Sequence, residues 1–300
     1  MSELVHGEGE AEQVVLSSLR LAMVLSVAIL LVESVGAYFS HSLSVTVDAV
    51  HNIPDLIAFA VSFAALRSTE KGASDPFTFG AHRFEVFAGL LNAALVLGTG
   101  AVFGFEAVVS LGGRSSFAGT VDPVWVLIVA VPTLALRAAN IVSLDRVPVR
   151  ARDLNLKSVL VHVASDIAIT GALVAMGAIL LVRPSASIAD PLAALAIAAV
   201  LVYESLPLFR GGWEVLTERT PRHLSIEAIL AAARAVPNVA EVHDLHVWAV
   251  CPTLVCMTAH VEVKEMSVRE GMAVVDDLRR TMEREFGILH ATFEIEAPAM

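Results

Sequence analysis

The sequence predicts a polytopic α-helical membrane protein, six transmembrane helices followed by a small soluble α/β domain. Three observations lead there. Of 300 residues, 56% are apolar and only 17% charged, with a mean hydropathy of +0.72; an ordinary soluble domain is nearer half apolar and a quarter charged. The apolar surplus is uneven. Residues 14–209 carry most of it, residues 210–300 look like a soluble domain, and Pro207, Gly211 and Gly212 punctuate the change. Finally, the apolar part divides into about six stretches of the roughly 20 residues that a bilayer crossing needs.

Residues 1–13 form an acidic N-terminus with Glu3, Glu8, Glu10 and Glu12, unlike the basic start of a cleavable signal peptide. The predicted spans are 14–39, 44–66, 84–112, 123–145, 155–181 and 187–209. The third is the plainest, with no charge from Val86 to Phe105. Basic residues set the orientation. Arg67, Lys71 and Arg83 follow the second span, and Arg146, Arg150, Arg152 and Lys157 separate the fourth from the fifth. The other side has only Arg114 and Arg183 in its loops. Both termini are therefore expected in the cytoplasm. Tyr38 and Trp125 fall near the outer interface and Tyr203 and Trp213 near the inner one, where amphipathic rings prefer to sit.

The tail, residues 210–300, reads α-β-β-α-β. Helical spacing covers 225–235 and 267–286; alternation covers 241–250, 254–264 and 290–296, with a turn at Pro252 and Thr253. In the expected pleat His243 shares a face with Leu245 and Val247, and His246 points the other way with Trp248. Cys251 and Cys256 are expected as apolar fillers of the hairpin. A net charge of −11 argues against a nucleic-acid partner.

Ionisable residues inside a membrane are costly and mark function. The second span holds Asp48, His51 and Asp55, and the fifth holds His162 and Asp166. Both carry H-x-x-x-D. Residues four apart share one helix face, so each span presents an imidazole and a carboxylate on one stripe. Two stripes face to face supply two nitrogens and two oxygens, the four ligands of a tetrahedral zinc site. The spans run in opposite directions, which puts His51 level with Asp166 and Asp55 level with His162. The pair on the second span is centred about nine residues, or roughly 14 Å, from its outer end. A match requires the fifth helix to begin near Asp153. The bland alternative is a pair of structural hydrogen bonds between packed helices. Glu33, Glu106 and Asp190 are further intramembrane carboxylates, expected to support structure. Pro54 removes a backbone hydrogen bond within the motif.

At these segments the chain resembles the cation diffusion facilitator family of zinc transporters and cobalt–zinc–cadmium exporters. The matching runs are HSLSVTVDAVHNIPD, FTFGAHRFEVFAGLLNA, DLNLKSVLVHVASD, ADPLAALAIA and VHDLHVWAV, in the family's order across nearly the whole chain. The resemblance implies a homodimer of six-helix subunits in the lipid bilayer, with a metallochaperone-like, ferredoxin-like cytoplasmic tail. It implies that His51, Asp55, His162 and Asp166 hold the transported zinc; imidazoles that titrate near neutrality make protons the expected counter-ion. It points to His243, His260 and Glu296 as ligands of a structural or regulatory zinc ion in the tail, with Asp244 and His290 nearby. The bacterial inner membrane is the expected location. The chain departs from members that bind a second metal after the second span: Phe77 and Ala81 stand where those carry histidines, leaving Asp75, and no metal is expected there. His82 reads as a surface or interface residue.

The expected function is efflux of zinc, with cadmium or cobalt as related cargoes, by proton antiport with alternating access. The competing classes are an intramembrane metalloenzyme and a membrane-anchored metal sensor. A catalytic zinc keeps a position open for water, whereas four protein ligands close the shell, and H-E-x-x-H is missing from the sequence. An enzyme is therefore not expected. The sensor class requires an output segment in a tail that has little room for one.

Overall fold

A computed structural model describes residues 23–69, 78–80, 82–114, 120–145 and 154–297, with backbone alone at 55, 58–69, 85, 140–145 and 154–163. The chain divides into two compact units, residues 1–70 with 91–208, and residues 71–90 with 209–300.

The first unit is helical. Its elements are α1 (Met23–Ser40), α2 (Leu43–Thr69), α3 (His82–Leu111), α4 (Pro123–Asp145), α5 (Leu154–Val182) and α6 (Ala189–Leu216), with α3 and α6 each running on into the second unit. The helices match the six expected spans, and α5 starts at Leu154, as the depth argument required. Among the described residues, α1, α3, α6 and the Ala164–Val182 part of α5 are long and apolar enough to cross a membrane. A buried core of Leu43, Val47, Val126, Leu173, Ile197 and Leu201 lies inside. Large apolar side chains such as Val102, Phe105 and Val108 face outward. That inversion suits a lipid solvent. Helix contacts are close where side chains are missing. A Cβ on Gly36 of α1 would lie 2.9 Å from Val129 Cβ of α4, so no larger residue fits without moving α4.

The α1–α2 turn is tied down by Asp190 on α6. Its carboxylate accepts from Ser42 Oγ at 2.6 Å, Leu43 N–H at 2.8 Å, Ser44 N–H at 3.1 Å and Ser44 Oγ at 2.6 Å. A carboxylate at a helix N-terminus satisfies orphan amides and complements the helix dipole. Asp190 is thus a supporting residue, as expected. Phe39 stacks on Trp125 with centroids 4.8 Å apart, and Tyr38 meets Phe39 edge-on; α1 ends and α4 begins at this aromatic cluster. α2 continues through Pro54.

The second unit contains α7 (Ile226–Arg234), β1 (Val239–Cys251), β2 (Leu254–Val263), α8 (Val268–Phe286) and β3 (His290–Glu296), the predicted order. The sheet runs β1-β2-β3; β1 and β2 are antiparallel, β2 and β3 parallel. Val242, Val247, Met257, Ala259, Val261 and Phe293 pack against Ile229, Val274, Leu278 and Met282 of the two helices. Helix α8 is closed at both ends. Ser267 and Glu270 form a reciprocal capping box, and Gly287 ends the helix in the left-handed conformation (φ 67°). Cys251 and Cys256 are buried and free, and burial pushes the Cys256 thiol up from its ordinary value.

The expected pleat of β1 needs correction. His243 pairs with His260, yet His246 pairs with Thr258, three steps on β1 against two on β2. The extra residue is a bulge at Asp244, whose φ is 47°. It reverses the alternation. Val242 and Val247 both point into the core, while His243 and His246 share the outer face.

Candidate metal sites

The membrane site is built on the two H-x-x-x-D helices. His51 of α2 and Asp166 of α5 come together, with Nε2 3.5 Å from Oδ1. His51 is 2% exposed and Asp166 15%. This is the juxtaposition that the antiparallel register predicted. The side chains of Asp55 and His162 lie outside the described residues.

A second layer of polar groups holds this pair, and sequence reasoning missed its centre. Arg137 of α4, 3% exposed, sits among five oxygens. Nη1 donates to the Asp166 carbonyl at 2.9 Å and to Thr170 Oγ1 at 2.5 Å, both on α5. Nη2 donates to Glu33 Oε1 of α1 at 3.3 Å and to Asp48 Oδ1 and Asn52 Oδ1 of α2, each at 3.2 Å. Asn52 Nδ2 in turn donates to Glu33 Oε2 and to the Asp48 carbonyl. A buried charge without partners is prohibitive in this setting. Here one guanidinium faces two carboxylates. The signal was available: Arg137 is an ionisable residue well inside a predicted span. Glu204 of α6, another such residue, accepts a hydrogen bond from Ser165, the neighbour of Asp166.

The tail site lies on the outer face of the sheet. His243 and His260 are cross-strand partners, and the parallel register brings Glu296 beside them. Glu296 reaches both rings: Oε1 is 2.8 Å from His260 Nδ1 and Oε2 is 3.2 Å from His243 Nε2. One ligand atom from each of the three residues can be chosen so that all lie within 4.8 Å of one another. Two imidazole nitrogens and a carboxylate oxygen are a donor set that suits zinc. Asp244 Oδ2 and Glu294 Oε2 each stand 3.6 Å from His260 Nε2. The bulge turns Asp244 toward this face, where it also meets His246 at 3.1 Å.

His290 is a correction. It pairs with Cys256, well along the strand from His260, and its ring meets Phe79 with centroids 5.9 Å apart. The structure does not bring it to the cluster. His82 begins α3 and is partly exposed; Asp75, Phe77 and Ala81 lie outside the described residues.

Two family models match the chain. The cation efflux transmembrane domain matches residues 19–217, and the cation efflux protein cytoplasmic domain matches residues 221–298. Among curated relatives, the metal cation efflux system protein CzcD of Cupriavidus metallidurans is 29% identical over 93% of this chain and 86% of its own. A cadmium, cobalt and zinc/H(+)-K(+) antiporter of Bacillus subtilis is 26% identical over 98% of this chain and 92% of its own. The solved metal-bound C-terminal domain of the CzcD transporter is 29% identical, covering 24% of this chain and 99% of that domain, with a TM-score of 0.23.

Proposed function

The chain belongs to the cation diffusion facilitator family, and on that premise we propose that it exports zinc, with cadmium and cobalt as related cargoes, from the cytoplasm in exchange for protons. The observation that carries the reading is the His51–Asp166 pair, largely buried and joined across two helices that share one ligand spacing. Asp55 and His162, one helical turn away on the same two helices, complete a four-ligand shell of two nitrogens and two oxygens. Relatives named for metal efflux and for zinc/H(+) antiport support the transport class.

The cycle follows from ligand chemistry. Facing the cytoplasm, neutral imidazoles and ionised carboxylates bind the metal. Rocking of the helices then turns the site outward, where protons compete. An imidazole titrates near pH 6.5 in water, so protonation near neutrality displaces a metal that needs deprotonated ligands. Return with protons completes the exchange. A closed shell of protein ligands leaves no position for catalytic water, and the chain is read as a transporter rather than an enzyme.

Residues 14–209 form the transport domain and residues 210–300 a cytoplasmic domain through which two copies dimerise, both termini being cytoplasmic and the membrane the bacterial inner membrane. In the tail, His243, His260 and Glu296 would hold a structural or regulatory zinc ion, with Asp244 beside them. Binding there favours whichever relative position of the two tails completes the site.

The test is zinc uptake into proteoliposomes by the purified protein and by His51→Ala, Asp55→Ala, His162→Ala and Asp166→Ala. Each variant is expected to fold and to lose uptake. Wild-type rates in any of them would remove that residue from the site.

A further inference from the structure

The oxygen cage around Arg137 carries an inference that rests on the transport reading and extends it beyond the four ligands. The two terminal nitrogens of Arg137 serve different helices. Nη1 holds α5 through the carbonyl of Asp166, the residue whose side chain faces His51, and through Thr170 Oγ1. Nη2 holds α2 through Asp48 and Asn52, the latter adjacent to His51, and holds α1 through Glu33. Both gripped points thus lie at, or within one helical turn of, a ligand of the transported metal.

We propose that Arg137 is a positioning residue of the transport site: its guanidinium fork pins α2 and α5 in register, so that His51 faces Asp166 before the metal arrives. Metal coordination tolerates only about 0.2 Å of error in ligand distance. Two ligands on separate helices therefore need something that fixes one helix against the other. A planar guanidinium can do this because its donors point in fixed, divergent directions, whereas a lysine ammonium is a single compact charge on a flexible stem. The cage has a second effect. Glu33 Oε1 and Asp48 Oδ1 are both engaged by Nη2 rather than left open to a divalent cation. Thr170 reinforces the arrangement, since its hydroxyl also donates to the Asp166 carbonyl at 2.9 Å.

The test uses the full-length protein in proteoliposomes and reads initial zinc uptake against zinc concentration, normalised to folded protein. Arg137→Lys keeps the charge and loses the fork. It is expected to raise the half-saturating zinc concentration about tenfold, or about 1.4 kcal/mol. In Arg137→Ala, free guanidinium is expected to bring half-saturation back toward the wild-type value, and sodium at the same concentration is not. A merely structural residue would reduce the amount of folded protein or the maximal rate and leave half-saturation unchanged; that result in Arg137→Lys overturns the proposal. Equal recovery with sodium also overturns it, because charge alone would then suffice. Should the alanine variant fail to fold, the lysine variant decides. Wild-type vesicles in the same series report separately on transport: zinc flux there with unchanged half-saturation in Arg137→Lys sinks only the positioning role, whereas no wild-type flux sinks the transport reading itself.

Discussion

Replacing Asp190 by alanine tests how α2, the helix that carries His51, is held. The carboxylate accepts four hydrogen bonds from Ser42, Leu43 and Ser44, all of them fully buried. In Asp190→Ala the two hydroxyls can still pair with each other, since Ser42 Oγ and Ser44 Oγ are already 3.1 Å apart. The amides of Leu43 and Ser44 have no such recourse. A buried donor left unsatisfied costs about 1–3 kcal/mol, and losing the anion at the helix N-terminus adds roughly 0.3–1 kcal/mol. Summed over both amides this is about 2–7 kcal/mol. At roughly 2–4 °C per kcal/mol for a chain of this order, the melting temperature of the detergent-solubilised protein should fall by about 5–28 °C. Asp190→Asn, which keeps one acceptor oxygen, should fall between the two. Thermal unfolding followed by intrinsic fluorescence gives the measurement. A shift under about 2 °C in Asp190→Ala would refute the reasoning, because no recovery of both amides is available without moving the start of α2.

Other consequences are as specific. Imidazole ligands suit zinc and its neighbours, and all-oxygen shells suit magnesium and manganese, so competition assays should show uptake of zinc, cadmium or cobalt and none of magnesium; comparable manganese and zinc uptake would count against two histidine ligands. The 210–300 fragment has its own core and should fold alone, and zinc should raise its melting temperature in the wild type but not in His260→Ala. The capping box predicts a pH effect. The Ser267 amide and hydroxyl hold the Glu270 carboxyl below its ordinary range, so its stabilisation is present above the unfolded value and is lost as pH falls through the folded one. The gap in melting temperature between wild-type fragment and Glu270→Gln should therefore close on acidification from pH 6 to pH 3. Ser267→Ala should cost about 1 kcal/mol at neutral pH.

Helical periodicity made the juxtaposition of His51 and Asp166 legible. Two H-x-x-x-D motifs at matching depth in opposed helices fix which residues face each other, and His51 meets Asp166 as that geometry demands. Arg137 carries no ligand signature, because a guanidinium is not a metal ligand. Its five partners come from three helices and include a main-chain carbonyl, a convergence that no local pattern encodes. Asp190 was legible as a supporting carboxylate, but its partners lie almost 150 residues away and required the fold. In the tail, alternation located all three strands, since buried β-branched residues recur at the pleat period. It failed between His243 and His246, where Asp244 takes a left-handed conformation and the bulge turns both histidines to one face. Aspartate tolerates that conformation better than most residues, but nothing in the neighbouring sequence demands it. His290, expected near the tail cluster, is set by the parallel pairing beside Cys256 rather than His260, four residues along β2.

Coupling of zinc to protons is the central claim, and one measurement addresses it directly. Vesicles containing only this protein are loaded with acid, placed at neutral pH with external zinc, and followed for internal zinc and internal pH together. Outward proton movement should drive zinc inward: zinc accumulates above its external concentration while the lumen alkalinises, and both changes cease when an ionophore collapses the gradient beforehand. Zinc entry at the same rate and to the same level with the gradient collapsed, and no zinc-dependent change in internal pH, would contradict antiport.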